Sequence, residues 1–184
     1  MTPTRARVCS PRWQEGPAAS KTGRVDVHTR QLVLHLLSIE EAERVLRQRR
    51  LPDETWASDY PSLEQVDYLE AYLVEARSPR RDFYWQSQLR RRDDGLVVGG
   101  AGVTGPPDAD GAVVIGYELA GGLRDEDFGV EILGALVDVA SGMGATRVTA
   151  TIFDDDVVRL AVYQQAGLSE VRREGRVVHL GRDI

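Results

Sequence analysis

The sequence predicts an α/β domain, one sheet of about six to seven strands flanked by about four helices. Three observations carry that expectation. Short apolar, β-branched runs of strand length recur along the chain. Helix-period runs stand between them, several opened by a Ser or Asp positioned to cap. At residues 112–133 a strand, a glycine pair and a helix follow one another without a gap. A chain of 184 residues suits a single domain able to bury a hydrophobic core.

Residues 1–26 mix charges with Gly, Pro and Ser and show no periodicity, so they read as a flexible N-terminal tail. A single domain is expected over residues 27–184. Its first strand is the run Arg30 to Leu37. Ser38 then opens a helix, with Glu41 three positions on completing a capping box. Trp56 to Tyr60 form a connecting stretch that Pro61 interrupts. Ser62 and Gln65 repeat the capping pattern ahead of Leu63, Val66, Leu69, Tyr72 and Leu73. Ser78 to Arg81 is a loop, Phe83 to Leu89 a strand, and Leu96 to Val103 the next. Between them Arg90-Arg91-Arg92 is answered at once by Asp93 and Asp94, a self-paired hairpin turn rather than an anion patch. The glycines of Gly99-Gly100-Ala101-Gly102 mark a bulge or a close backbone approach inside that strand.

Ala112 to Ile115 is a covered strand that continues through Gly116-Tyr117-Glu118-Leu119-Ala120 to the pair Gly121-Gly122. A helix begins near Asp125, its apolar face marked by Phe128, Ile132, Leu133, Leu136, Val137 and Ala140, and ends near Gly142 or Gly144. Arg147 to Phe153 is a strand and Asp154 to Asp156 cap a last helix closed by Gly167. The pieces Glu170–Arg173 and Arg176–Leu180 close the sheet as a hairpin around Glu174-Gly175.

Composition removes several classes of function. A net charge of −6, with arginines dispersed, leaves no nucleic-acid footprint and no basic membrane face. The single Cys9 excludes an intrachain disulfide. Three histidines far apart in sequence form no metal-ligand spacing, so no metal is expected. No apolar run approaches the ~18 residues of a membrane span, and a cytoplasmic protein is expected.

The start of the long helix is where a ligand is expected. Helix N-termini present unpartnered N–H groups and partial positive charge, which suit a phosphate. Arg124-Asp125-Glu126-Asp127-Phe128-Gly129 resembles the Arg/Gln-x-x-Gly-x-Gly/Ala signature of the GNAT superfamily of N-acetyltransferases. Arg124 and Gly129 match, while Asp127 replaces the central glycine, so the pyrophosphate loop is degenerate. The piece from Asp156 through Tyr163 to Gly167-Leu168 is similar to the family's second cofactor motif, with Asp156 in the place of Asn and Leu168 in that of Phe. Thr29 to Leu34 followed by Ser38 to Ala42 is similar to the first strand and helix of the ribosomal-protein acetyltransferase (RimJ/RimL-like) branch. The likeness extends over about residues 28–180.

That resemblance implies a GNAT fold with a central mixed, mostly antiparallel sheet. It also implies acetyl-CoA, or another acyl-CoA, as cosubstrate and acyl transfer to an amine acceptor, a small molecule or a peptide N-terminus. Leu119, Ala120 and Gly121 would meet the pantetheine arm, and Arg124, Asp127, Phe128, Gly129 and Val130 would receive the pyrophosphate. Asp156 and Tyr163 would complete the cofactor side. Tyr163 is placed to protonate the departing thiolate. Glu118, an ionisable residue in an apolar strand, is the candidate base. Trp56, Asp59, Tyr60 and His35 are the candidate acceptor contacts, by stacking and charge. Each admits a packing role as well. No nucleic-acid or membrane partner is expected, and the chain is expected as monomer or homodimer.

Two readings of the acidic loop stay open. Asp125, Glu126 and Asp127 cap their own helix, or they crowd a working anion site. At about 6 Å and an effective dielectric of about 20 to 80, each like-charge pair costs roughly 0.7 to 3 kcal/mol. The alternative function is therefore a GNAT-fold protein with impaired or lost acetyl-CoA binding, acting as a binding or regulatory module or catalysing a different reaction in the same cleft.

Overall fold

The computed structural model describes residues 26–77, 85–120, 123 and 126–184, without the side chains of 126 and 127. Among them the order is β1 (Val27–His28), β2 (Leu32–Leu36), α1 (Ile39–Leu46), α2 (Leu63–Ala76), β3 (Trp85–Arg91) and β4 (Val97–Thr104). There follow β5 (Ala112–Leu119), α3 (Glu126–Gly142), β6 (Arg147–Phe153), α4 (Val157–Gln165), β7 (Ser169–Glu174) and β8 (Val177–Asp183). The strands form one eight-stranded sheet, ordered β1-β2-β3-β4-β5-β6-β8-β7. Only β5 and β6 run parallel. The sheet exceeds the expected six to seven strands because β1, a two-residue strand, is too short to carry any period.

Local chemistry sets most boundaries. Ser38 and Ser62 each accept from the backbone N–H three residues on, and Glu41 and Gln65 each reach back to the cap, so both capping boxes form. Gly167 and Gly175 take the positive φ their turns require, +87° and +59°. Strand β2 starts two residues later than the expected Arg30. Thr29 and Gln31 are drawn to Glu131 of α3, which accepts from the Thr29 hydroxyl and, at 2.7 Å, from the Gln31 N–H. Glu131 thus braces the β1–β2 turn as well as sitting on its own helix.

The arginine run divides its labour. Arg91 pairs with Asp94 in the turn, whereas Arg90 bonds Gln88 and Glu54, and Arg92 bonds the carbonyls of Thr29 and Arg30. Two apolar layers cover the sheet. Leu32, Leu34, Leu89, Val103, Ile115, Ile132, Leu136, Val148 and Leu180 belong to the larger, under α3 and α4. Leu37, Val45, Trp56, Tyr60, Leu69 and Leu73 form the smaller, under α1 and α2. No helix among the described residues is long and apolar enough to cross a membrane.

Candidate active site

Strand β5 pairs with β4 from Val114 opposite Thr104 to Leu119 opposite Gly99. Its parallel pairing with β6 stops after Val114 opposite Thr149. Beyond that point the two strands part, and β6 continues alone with β8 as far as Phe153. Alternation fixes which groups face the opening. The Ala120 N–H donates to Val98 of β4 at 2.7 Å, so the even positions of β5 point to β4. Ile115, Tyr117 and Leu119 therefore turn their backbone groups toward the gap.

Helix α4 fills part of that gap. Asp156 caps it, accepting from the Arg159 N–H at 3.1 Å. Tyr163, one helical turn further on, is buried. It stacks on Tyr117 with ring centroids 5.9 Å apart, and its hydroxyl accepts from the Tyr117 backbone. Burial raises the phenol well above its ordinary value, so its proton stays on at physiological pH. Helix α3 comes close from below. A Cβ at Gly129 would meet the Tyr117 hydroxyl and, at 2.5 Å, Val162 Cγ1. Gly129 is thus demanded by packing of α3 on β5 and α4.

Arg159 spans the opening. Its guanidinium lies 2.5 Å from Glu118 Oε2, 3.5 Å from Asp156 Oδ2 and 3.9 Å from Glu64 Oε1 of α2, and 6.0 Å from the Tyr117 ring centroid. Burial opposes its charge, but the neighbouring carboxylates more than offset this and hold it above its ordinary value. Glu64 is raised by partial burial and then by the charge of Glu118, to which its carboxyl is hydrogen-bonded. On this side of the sheet Glu118 lines a pocket of about 40 Å³ with Gln65, Tyr68, Gln86, Gly100, Gly102 and Gly116. Gln65 Nε2 ties α2 to this strand, donating to the Glu118 carbonyl at 3.0 Å.

The expected site residues do not all come together. Tyr163, Glu118, Leu119 and Asp156 meet at the gap. Ala120 adjoins it but has both backbone groups engaged, its N–H with Val98 and its carbonyl with Leu123. Phe128 and Val130 pack partly buried against the larger core. Trp56 and Tyr60 are buried, 5.1 Å apart in a T-shaped pair, with Trp56 Nε1 donating to Glu54 and Gln88 donating to the Tyr60 hydroxyl. With Gln48, Arg50, Ala57 and Ser58 they border a different hollow, of about 290 Å³. Asp59 is exposed next to them. His35 is held between Asp26 and Glu41, at 2.8 and 3.3 Å. None of these four lines the pocket at Glu118, because they stand over the smaller core nearer α1. Gly121, Arg124 and Asp125 lie outside the described residues, as does the side chain of Asp127.

Sequence reasoning missed Arg159, Glu64, Tyr68 and Tyr117. A charged residue in a helix's first turn looks like surface, and the only signal for Arg159 was its i+3 spacing from the capping Asp156.

The model of the acetyltransferase (GNAT) domain family matches residues 31–169 of the chain. No curated protein sequence matches it. Among solved structures it is similar to RimL, a ribosomal L7/L12 α-N-protein acetyltransferase, at 14% identity with a TM-score of 0.61, covering 92% of this chain and 100% of that one. It is likewise similar to the ribosomal-protein-S5-alanine acetyltransferase of Vibrio fischeri, at 11% identity and a TM-score of 0.61, covering 86% of this chain and 96% of that one. A third is the microcin C7 self-immunity acetyltransferase MccE, solved with acetyl-CoA and AMP, at 12% identity and a TM-score of 0.58, covering 84% and 93%. At these identities the likeness is one of fold.

Proposed function

We infer that this chain, which belongs to the GNAT acetyltransferase family, transfers an acetyl group from acetyl-CoA to a primary amine. The observation that carries the reading is the parting of β5 from β6 after Val114, with the Tyr163 hydroxyl lodged on the Tyr117 backbone. A thioester needs an N–H to polarise its carbonyl and an acid near its sulfur. The Leu119 N–H faces the gap without a β6 partner, and Tyr163 supplies a phenol that keeps its proton. Acetyl-CoA fits at this end of the cleft. Its thioester end would lie against Leu119 and Tyr163, where it supplies the activated acyl carbon.

The amine enters from the α2 side. Its nitrogen loses a proton to Glu118, which Arg159 holds in place, and forms the new N–C bond. The C–S bond breaks, and Tyr163 hands its proton to the departing sulfur. Holding both reactants in line supplies much of the acceleration.

Isothermal calorimetry with acetyl-CoA tests the reading directly. A dissociation constant in the micromolar range is expected. Absence of heat at millimolar concentration would instead favour a binding module, the reading that the acidic run Asp125-Glu126-Asp127 supports. Tyr163→Phe should lower kcat by about tenfold or more while changing acetyl-CoA affinity by less than about threefold. An unchanged kcat would remove Tyr163 from the proton path.

A further inference from the structure

We propose that the acceptor is a small primary amine carrying an apolar, ring-sized body, seated in the slot between α2 and strands β4–β5 with its nitrogen at Glu118. This rests on the transferase reading and specifies its substrate class.

The slot has a floor without side chains. Gly102 pairs with Gly116 and Gly100 with Glu118, so these positions share the face that α2 overhangs. A Cβ at Gly102 would strike the Gln86 amide, so that glycine serves packing. Gly116 is different. A Cβ there would meet nothing within 4 Å, and its backbone is an ordinary strand. Glycine weakens a strand interior, and no neighbour requires it at this position. What it preserves is open space above the sheet.

That space continues outward. Tyr68, Gln86, Thr104 and Val114 border both the narrow pocket at Glu118 and a wider hollow of about 240 Å³, whose walls include Ala71 and Tyr72. A dry apolar cavity of about 150 Å³ holds a benzene ring. Val114, in the middle of a central strand, is 50% exposed and Tyr68 is 46% exposed. An apolar body in the hollow would cover both.

The inner end asks for a cation. Among the described residues, Glu64 and Glu118 both lie against the guanidinium of Arg159, which Asp156 also approaches. An ammonium arriving beside Glu118 and Glu64 is attracted by both carboxylates. Charge at the narrow end and apolar surface at the wide end together describe an amine joined by a short linker to a ring.

The full chain, saturated with acetyl-CoA, is offered 2-phenylethylamine, methylamine, spermidine and an alanine-headed tripeptide, with acetylated product followed by mass spectrometry. The expected result is a kcat/KM for 2-phenylethylamine at least tenfold above the others; preference for the polyamine or the peptide would overturn the proposal. Gly116→Val should reduce that kcat/KM at least tenfold, with acetyl-CoA affinity within about twofold and no loss of Tm. Full activity in Gly116→Val would overturn it as well. Failure of acetyl-CoA to bind would sink the transferase reading alone. The slot is then judged by saturation-transfer NMR of 2-phenylethylamine. Binding that Gly116→Val abolishes supports it, and binding that is absent or unaffected overturns it.

Discussion

Single side chains set the character of the cleft. Glu64 of α2 and Glu118 of β5 meet at the guanidinium of Arg159 on α4. The cost falls on Glu64, whose carboxyl is raised by burial and by the charge of Glu118. A carboxyl raised in the folded state binds more protons there than in the unfolded chain. Stability linked to it is therefore full below the unfolded pKa and is lost as pH rises through the folded one. Asp156, Tyr68 and Arg159 face the same group; Arg159 tempers the like-charge repulsion, whereas Asp156 adds to it. Glu64→Gln should raise Tm at pH 8 relative to the parent, with the difference vanishing near pH 4. Thermal melts at the two pH values check this, and a lower Tm at pH 8 would show that Glu64 is held mainly by Arg159.

At the scale of elements, α3 is the part that ties the sheet's first edge to its centre. Glu131 accepts from the Thr29 hydroxyl and the Gln31 N–H, which fixes the turn between β1 and β2. Burial works to raise its carboxyl, yet these hydrogen bonds outweigh burial and leave it below its ordinary value. Its contribution is therefore present above the unfolded pKa and is lost as pH falls through the folded one. Glu131→Ala should cost about 1 to 3 kcal/mol at pH 7, since it strands two donors. The loss should shrink below pH 4, as urea titrations at both pH values would show. Both capping boxes were legible in advance because a cap needs only residues three apart. The anchoring role of Glu131 was not, since its partners lie 100 and 102 positions away.

Across the whole molecule, the sheet is paired continuously from β1 to β7 except where β5 and β6 part. The outer strand β7 is exposed along its length, and its charges pair among themselves, Arg172 with Glu174 and Arg173 with Glu170. Such an edge resists pairing with other strands. Among the described residues, the gap is where β5 runs on without a β6 partner. Hydrogen exchange should show the Leu119 amide exchanging faster than that of Val113, and slowing selectively when acetyl-CoA is added. Protection spread evenly over β5, or none at Leu119, would contradict the placement of the thioester there.

The sequence by itself determined the succession of strands and helices, their caps, the glycine turns and the candidacy of Tyr163 and Glu118. Period, capping and turn chemistry are local, so a handful of neighbouring residues decides each. Only the tertiary structure decided where β5 leaves β6 and which side chains enter the opening. It also moved Trp56, Tyr60 and His35 away from it. Arg159 meets Glu118 across 41 residues, and Glu64 reaches the same guanidinium from the far face of the sheet. Contacts of that kind arise from how helices pack on a sheet, and no periodicity along the chain encodes them.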